Sequence, residues 1–214
     1  MMKVLFEKKF NTVIGDVTYK VFDSKPKFNM VEVNQVHGVM LATSNQYNQD
    51  NQSFQQADGL IRLFKNSELH SISNEKGKTY PLSIKTADCL PVVMIGNKGI
   101  ALIHAGWRGL HKGILTSQEL NKIEVQEAFI GPSIQKDSYQ VGEEFKKIFS
   151  QFEECFLVKK GLLFLDLPCI ARKQIQNHFE NVTVESSNIN TFNTKGYHSF
   201  RRDQTLQRNY NILF

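Results

Sequence analysis

Three short apolar segments near the middle of the chain constrain its fold more than any other feature. Pro81–Ile84, Val92–Ile95 and Gly99–His104 are rich in β-branched residues and are punctuated by glycine. Segments of this length and composition are typical of β-strands, and their nearly continuous apolar character indicates burial on both faces of a sheet. We therefore expect these strands to form the core of the fold.

Helix-like and strand-like segments alternate in the C-terminal half of the chain. Apolar residues at helical spacing predict helices within Leu110–Ile123, Val141–Phe152 and Ile170–Phe179. The β-branched or apolar segments that follow them are interpreted as strands: Val125–Ile130, Leu162–Leu165 and Val182–Val184. This alternation predicts an α/β fold, a compact layered domain with mixed β-sheets flanked by helices.

Two further strands are predicted in the N-terminal part, within Val13–Phe22 and Met30–Gln35. The segment Gln46–Gln56 is dense in Asn and Gln and is too polar to pack, so it is interpreted as a solvated loop. It is not a domain linker, because strand-like sequence resumes at Ala57–Ile61. A chain of 214 residues is long enough for one sizeable core. We predict a single domain over residues 1–214.

Composition and charge exclude several classes of protein. No segment approaches the roughly 18 consecutive apolar residues of a membrane helix, and the first ten residues lack the apolar region of a secretory signal. These features predict a cytoplasmic protein without a membrane partner. The 26 Lys and Arg residues exceed the 21 Asp and Glu residues, which weakly favours anionic ligands. They are spread along the chain, so no nucleic-acid partner is expected.

The cysteines and the common catalytic motifs narrow the possible chemistry. Cys89, Cys155 and Cys169 are an odd number without close spacing, which argues against a disulfide framework and leaves thiols for metal binding or catalysis. The sequence contains no P-loop, no G-x-G-x-x-G, no nucleophile elbow, no H-E-x-x-H and no C-x-x-C. The chemistry must therefore come from polar residues at the ends of the predicted strands.

Such residues occur in three places. His37 follows a predicted strand and precedes a glycine, Cys89 follows Asp88 just before a buried strand, and His104 ends another strand beside a Gly-Trp-Arg-Gly turn. Two imidazoles and a thiolate suit a borderline-soft metal, and zinc fits them best. Three protein ligands leave a fourth position open, as in catalytic zinc sites. The same residues also allow a nucleophile pair, with Cys89 attacking and His104 acting as the base.

Seven short blocks occur in order over roughly four-fifths of the chain and form a specific pattern. They are NQVHG (Asn34–Gly38), ADGLI (Ala57–Ile61), TADCLP (Thr86–Pro91), HAGWRG (His104–Gly109), GPSI (Gly131–Ile134), YQVG (Tyr139–Gly142) and SFRRD (Ser199–Asp203). Together they resemble the blocks of the YfiH-like laccase-domain family. Members of that family are described as multicopper polyphenol oxidases, as purine nucleoside phosphorylases or as peptidoglycan editing factors.

The resemblance implies a layered α/β fold shared with a bacterial deamidase toxin of the cytotoxic-necrotizing-factor type. It also implies that this protein is a monomer or a homodimer. It implies a metal site made from His37, Cys89 and His104 that holds Zn²⁺, with Cu²⁺ as an alternative. It also implies phosphorolysis of adenosine, inosine, guanosine and S-methyl-5'-thioadenosine, with adenosine deamination beside it. Purine nucleoside and phosphate would then be the small-molecule partners.

Roles follow for the residues of the matching blocks. The predicted catalytic residues are Cys89, Asp88 and His104. The predicted contacts to nucleoside and phosphate are Gln35, Arg108, Arg201 and Arg202. Guanidinium groups bind phosphate bidentately, whereas Asp88 would orient a ligand or move a proton. A surface ion pair with Asp203 is the alternative for Arg201 and Arg202.

Two other activities of the family compete with phosphorolysis. A hydrolase that edits misloaded peptidoglycan precursors would use the same Cys/His/zinc site. A copper-dependent polyphenol oxidase is disfavoured because a multicopper oxidase needs many more histidines than the six in this chain. Three of these six, His70, His111 and His178, also lie away from the motifs. The chain also departs from many members in having Ser133 and Asn190 where they carry cysteine.

Overall fold

Three β-sheets and four α-helices make up the part of the chain that the computed structural model describes, residues 2–13, 15–44, 56–64 and 80–214. The strands are β1 (Val4–Thr12), β2 (Gly15–Phe22), β3 (Leu41–Thr43), β4 (Gly59–Leu63), β5 (Leu82–Thr86), β6 (Leu90–Gly96), β7 (Gly99–Ala105), β8 (Val125–Ile130), β9 (Gln140–Val141), β10 (Phe156–Lys159), β11 (Leu162–Leu165), β12 (Thr183–Ser186) and β13 (Asn209–Leu213). The α-helices are α1 (Trp107–His111), α2 (Glu144–Ile148), α3 (Leu167–His178) and α4 (Phe200–Asp203).

The largest sheet is mixed and has its strands in the order β12-β8-β6-β7-β4-β3. Its outer pairs are parallel and its inner pairs are antiparallel. Every residue of β6 and β7 is buried. Val92 and Met94 pack into one apolar cluster, and Val93 and Ile95 pack into another on the opposite face. Both faces are therefore covered, which explains why these strands are continuously apolar and confirms them as the core.

Different layers cover the two faces of this sheet. The four-stranded antiparallel sheet, in the order β1-β2-β13-β5, packs on one face through residues such as Tyr19 and Ile84. Helices α1 and α3 and the small antiparallel sheet β10-β11-β9 supply the other face, where Leu110, Ile170 and Leu165 are fully buried. The predicted α/β fold with a mixed sheet flanked by helices is thereby confirmed.

The predicted helix over Leu110–Ile123 is wrong in its extent. Helix α1 ends at His111, and two 3-10 segments follow at Ile114–Thr116 and Gln118–Ile123. The break lies at Gly113, whose φ of +78° is the left-handed conformation that ends a helical path. The apolar residues of this segment nevertheless face the core, so the hydrophobic pattern identifies the buried residues although the helix is not continuous.

The predicted helix over Val141–Phe152 is also interrupted. Val141 belongs to strand β9, α2 covers only Glu144–Ile148, and a 3-10 segment begins at Ser150. Helix α3 contains all of the predicted Ile170–Phe179 except the last residue. None of the helices in the described ranges is long and apolar enough to cross a membrane.

Most predicted strands are present, and two are confirmed at both ends, Val125–Ile130 and Leu162–Leu165. The strand predicted at Met30–Gln35 is wrong, because this segment makes only isolated β-bridges, Val31 with Leu82 and Asn34 with Gln56. Edge strand β1, which was not predicted, pairs along its length with β2. The polar loop predicted at Gln46–Gln56 lies outside the described residues except for Gln56.

The expectation that all three cysteines are free thiols is wrong. Cys155 and Cys169 form a disulfide with their Cα atoms 5.6 Å apart. The β10–β11 hairpin reverses the chain between them, and the N–H of Asp166 donates to the carbonyl of Cys155 at 2.8 Å. The two cysteines are 14 residues apart in the sequence, and the hairpin between them brings them together. The sequence spacing alone therefore does not reveal the pairing. Cys89 is the remaining free cysteine.

Candidate metal centre

The register of β6 and β7 brings the thiol beside one of the predicted histidines. These strands are antiparallel, with Leu90 opposite Ala105 and Pro91 opposite His104. Cys89 directly precedes β6, and His104 is the next-to-last residue of β7. The start of one strand and the end of its neighbour therefore meet at one edge of the sheet, where both side chains lie.

The second histidine reaches the same edge through β3 and β4. Strand β4 pairs with β7 so that Gly59 is opposite Ile103, and β3 pairs with β4 so that Leu41 is opposite Gly59. The loop that precedes β3 is held by a hydrogen bond from the N–H of Asp58 to the carbonyl of Met40, 2.8 Å long. His37 in that loop consequently lies beside His104.

His37, Cys89 and His104 form one compact group. Each offers a nitrogen or sulfur atom, and these three atoms lie within 4.8 Å of one another. The two imidazole rings have centroids 4.8 Å apart and are nearly perpendicular, at 80°. His104 is buried, Cys89 is partly buried and His37 is exposed. The group is therefore anchored in the core on one side and open to solvent on the other.

The electrostatics of the group favour an ionised thiol. Burial alone would raise the pKa of Cys89, but the charges and hydrogen bonds of His104 and His37 outweigh burial and lower this pKa to about 6. Burial likewise opposes protonation of His104, yet the Cys89 thiolate and the Asp58 carboxylate raise its pKa to about 9. A thiolate is the form of cysteine that binds metals and acts as a nucleophile.

The donor set fits a borderline-soft metal ion such as zinc. A thiolate and two imidazoles are ligands that zinc prefers, and three protein ligands are the number found in catalytic zinc sites. Among the described residues this is the group of three or more His, Cys, Asp or Glu side chains close enough to hold an ion. A metal there is consistent with the sequence prediction, and the identity of the metal stays a prediction.

Asp58 was not among the predicted site residues, although it belongs to the ADGLI block. Its side chain is fully buried, and its Oδ1 lies 2.9 Å from Nδ1 of His104. The same carboxylate accepts the backbone N–H groups of His37 at 2.9 Å and Gly38 at 2.6 Å. A carboxylate directly before a buried strand that neighbours a histidine-bearing strand is the sequence signal that could have found it.

Asp88 lies at the sharp turn between β5 and β6, with φ of +88°. Its Oδ1 accepts the hydroxyl of Thr191 at 2.8 Å, and its Oδ2 accepts the backbone N–H of Arg201 at 2.7 Å. Its carboxylate is not part of the metal-binding group. These contacts connect the Cys89 turn to helix α4, and a direct catalytic role for Asp88 stays a prediction.

Two predicted substrate contacts are occupied within the chain. The amide of Gln35 donates to the carbonyl of Lys85 and accepts the N–H of Lys85, each at 2.8 Å. The Arg202 guanidinium has five donors, and its nitrogens contact the carbonyls of Thr191, Phe192 and Tyr197 and the carboxylate of Asp203. Both side chains hold the backbone around the site, and their predicted contacts to substrate stay predictions.

Arg108 and Arg201 lie near the site together with an aromatic residue to which no role was assigned. The Arg201 Cζ is 4.9 Å from the centre of the Tyr139 ring, and Arg108 stacks on Trp107 at 4.5 Å. Burial and the charge of Cys89 raise the pKa of Tyr139 to about 12, while the charges of Arg201 and Arg108 oppose this shift. Tyr139 is therefore within electrostatic reach of the thiol and of both guanidinium groups.

Fold and site together define a layered α/β protein that presents one His-Cys-His group at the edge of its central sheet. The family model described as multi-copper polyphenol oxidoreductase laccase matches residues 18–213. The chain belongs to this family, which is the YfiH-like laccase-domain family that the sequence blocks resemble.

Several relatives are named purine nucleoside phosphorylases. The protein from Aquifex aeolicus is 33% identical over 138 residues, which cover 61% of this chain and 64% of that protein. YfiH from Shigella flexneri is 30% identical, with 64% of this chain and 60% of that protein covered. The match thus spans less than two thirds of the length of these two relatives. A Rickettsia conorii protein is 28% identical over 84% of this chain and 73% of its own length.

Solved structures of the family share the fold. The Bacillus licheniformis protein YfiH matches with a TM-score of 0.70 and 20% identity. The match covers 92% of this chain and 92% of that protein. A Neisseria meningitidis protein has a TM-score of 0.69 and 24% identity, with 86% of this chain and 74% of that one covered. These likenesses confirm the fold.

Proposed function

We propose that this protein is a zinc-dependent purine nucleoside phosphorylase. Its substrates would be adenosine, inosine, guanosine and S-methyl-5'-thioadenosine, with adenosine deamination as a side activity. The proposal is carried by one observation: a His-Cys-His group within 4.8 Å lies at a solvent-open sheet edge, beside the Asp88 turn that binds Arg201, in a chain similar to proteins named purine nucleoside phosphorylases.

Zinc would be held by His37, Cys89 and His104. When bound there, it supplies a Lewis acid next to the substrate. The buried side of the group keeps the ligands in place, because His104 is fixed by Asp58 and Cys89 lies in a turn tied to helix α4. The exposed side at His37 leaves room for a nucleoside to approach.

Phosphate would bind between Arg108 and Arg201. Phosphorolysis places an anion next to the sugar, and guanidinium groups recognise phosphate through paired N–H donors. The Arg201 side chain is oriented by the Tyr139 ring and by a 2.7 Å hydrogen bond to the carbonyl of Gln140, which leaves other N–H donors for a ligand. Pre-orientation lowers the entropy lost on binding.

Deamination of adenosine would use the same site without phosphate. The reaction needs a water placed against the amino-bearing carbon of adenine and a group that moves a proton to the leaving ammonia. The exposed face of the group admits water, and the carboxylate of Asp88, which directly precedes the Cys89 ligand, is the group that would move the proton.

The direct test is a product analysis with protein of measured zinc content. Adenosine and phosphate are incubated with the wild type, with Cys89→Ala and with Cys169→Ser, and products are separated by chromatography. We expect adenine and ribose 1-phosphate, with some inosine, from the wild type and from Cys169→Ser, and neither product from Cys89→Ala. Unchanged adenosine from zinc-loaded wild-type protein would refute the proposed activity.

The openness of the site favours one second candidate, a hydrolase that edits misloaded peptidoglycan precursors. The exposed position of His37 would admit a substrate larger than a nucleoside. The same three proteins, incubated with a muropeptide precursor carrying a wrongly incorporated residue, would separate the two functions. Release of that residue by the wild type and not by Cys89→Ala, without any nucleoside turnover, would support the hydrolase.

A further inference from the structure

One buried carboxylate contacts both histidines of the metal-binding group. The Asp58 side chain is 0% exposed. Its Oδ1 lies 2.9 Å from Nδ1 of His104 and accepts the backbone N–H of His37 at 2.9 Å. Its Oδ2 accepts the N–H groups of Gly38 at 2.6 Å and of Val36 at 3.3 Å. All of its hydrogen-bonding neighbours belong to the two segments that carry the imidazoles.

The contact with His104 fixes which ring nitrogen faces the group. An ionised carboxylate only accepts hydrogen bonds, so Nδ1 of His104 must carry a proton to bond with it. The other nitrogen, Nε2, is then the one left for a metal ion or for Cys89. The backbone contributes to the same alignment, because the N–H of His104 donates to the carbonyl of Asp58 at 2.7 Å.

The contact with the His37 loop acts through the backbone. Three successive N–H groups, those of Val36, His37 and Gly38, converge on the carboxylate. His37 itself has φ of +59°, a conformation that is uncommon for residues other than glycine and that surrounding contacts must maintain. Asp58 therefore holds the turn that aims His37 at Cys89 and His104.

We propose that Asp58 is the positioning residue of the metal centre, fixing the ring nitrogen that His104 presents and the loop from which His37 projects. The inference rests on the proposed function, because it concerns how the chain prepares its zinc ligands. Outer carboxylates that contact a ligating histidine typically contribute ten- to a hundredfold to metal affinity. Asp58 contacts the imidazole of one ligand, His104, and the backbone N–H of the other, His37.

The substitution Asp58→Asn tests this because it keeps the size of the side chain and removes one acceptor. The new NH₂ group must face either the Gly38 N–H, which is a donor, or Nδ1 of His104. In the second case Nδ1 has to accept, the proton moves to Nε2, and Nε2 no longer has a lone pair for a metal. Either arrangement disturbs one of the two histidines.

The measurement is zinc affinity, by competition with a chromophoric chelator, for the wild type, Asp58→Asn and Asp166→Asn. Asp166 is a matched control, since its carboxylate accepts a backbone N–H from Cys169 at the start of α3 and touches no residue of the group. We expect Asp58→Asn to bind zinc about ten- to a hundredfold more weakly than the wild type. Asp166→Asn is expected to bind zinc as the wild type does.

The outcomes separate this inference from the proposed function. Equal zinc affinity in the wild type and Asp58→Asn overturns the positioning role and leaves the proposed enzyme standing. A wild type that binds no zinc overturns both. Should Asp58→Asn fail to fold, nitrogen-15 NMR of the zinc-loaded wild type decides: a protonated Nδ1 and a metal-bound Nε2 of His104 support the role, and the reverse assignment contradicts it.

Discussion

Gly106 lies directly against Cys89. A Cβ atom built on Gly106 would stand 3.1 Å from the Cys89 Sγ and 3.4 Å from Cδ2 of His37. The register of β6 and β7 explains the approach, because Leu90 opposite Ala105 brings residues 89 and 106 together just beyond the paired ends. The metal-binding group is therefore closed on this side by backbone alone.

Gly106→Ala is expected to weaken zinc binding on the order of tenfold, the scale at which disturbing ligand placement lowers metal affinity. The Gly106 φ of −80° and ψ of 171° suit alanine, so the effect would come from the contact with Cys89 and not from backbone strain. Chelator competition measures it. Gly38→Ala is the matched variant, since its Cβ would meet Asp58 Oδ2 at 3.4 Å and Val36 at 3.5 Å, which are ordinary contact distances, and would not meet Cys89. Equal losses in both variants would contradict this reason.

In metal-free protein, the rate at which iodoacetamide alkylates the Cys89 thiol is expected to rise with pH, with a midpoint near pH 6. Burial of the thiol raises its pKa, but the charge of His104 is the largest of the opposing effects, which together lower the pKa to about 6. Below this pH the thiol is protonated and the rate falls, whereas an ordinary thiol would lose reactivity already below about pH 8.5. Mass spectrometry identifies the alkylated residue.

Removal of the His104 charge provides the control for that pH profile. His104→Gln is expected to move the midpoint of alkylation to higher pH, because the group that stabilises the thiolate is lost. The disulfide keeps Cys155 and Cys169 out of the reaction. A wild-type midpoint at pH 8 or above, or no shift in His104→Gln, would disagree with the assigned cause.

Loss of the Cys155–Cys169 disulfide is expected to lower the free energy of unfolding by about 2–4 kcal/mol, the usual effect of a bond that closes a loop of about 15 residues. Cys169→Ser is the suitable variant, because Cys155 is the more deeply buried partner and its replacement would also perturb the core. Urea unfolding measures the change. Wild-type protein in reductant should lose the same amount, and an unchanged midpoint in both would argue against the bond.

Arg201→Gln is expected to weaken phosphate binding, whereas Arg202→Gln is expected to lower stability. Arg201→Gln should raise the KM for phosphate by about tenfold, since losing one charged hydrogen bond costs about 1.5 kcal/mol, and should leave thermal stability nearly unchanged. Arg202→Gln should mainly lower stability, by about 1–2 kcal/mol, because its donors join α4 to the carbonyls of Thr191, Phe192 and Tyr197.

Steady-state kinetics over a range of phosphate concentrations, together with thermal unfolding, separate these two effects. Lys136→Gln, a charge removal on an exposed 3-10 segment, controls for the general loss of positive charge. A larger phosphate effect in Arg202→Gln than in Arg201→Gln would reverse the assignment of the anion site.

The sequence predicted the centre of the fold because its strongest signal is local. Strands β6 and β7 are nearly continuous apolar segments bounded by glycine or polar residues, and burial on both faces leaves that pattern in any chain. The helix predictions were weaker, since apolar spacing shows which residues face the core and not whether the backbone is broken between them, as it is at Gly113.

For the site, the sequence by itself identified His37, Cys89 and His104 as candidate ligands, since each stands in one of the specific blocks. Only the tertiary structure decided what surrounds them. Strand register placed Asp58 against both histidines and Gly106 against the thiol, and a hairpin joined Cys155 to Cys169. Such contacts join residues 14 to 46 positions apart through pairing between strands, which leaves no pattern within any one segment.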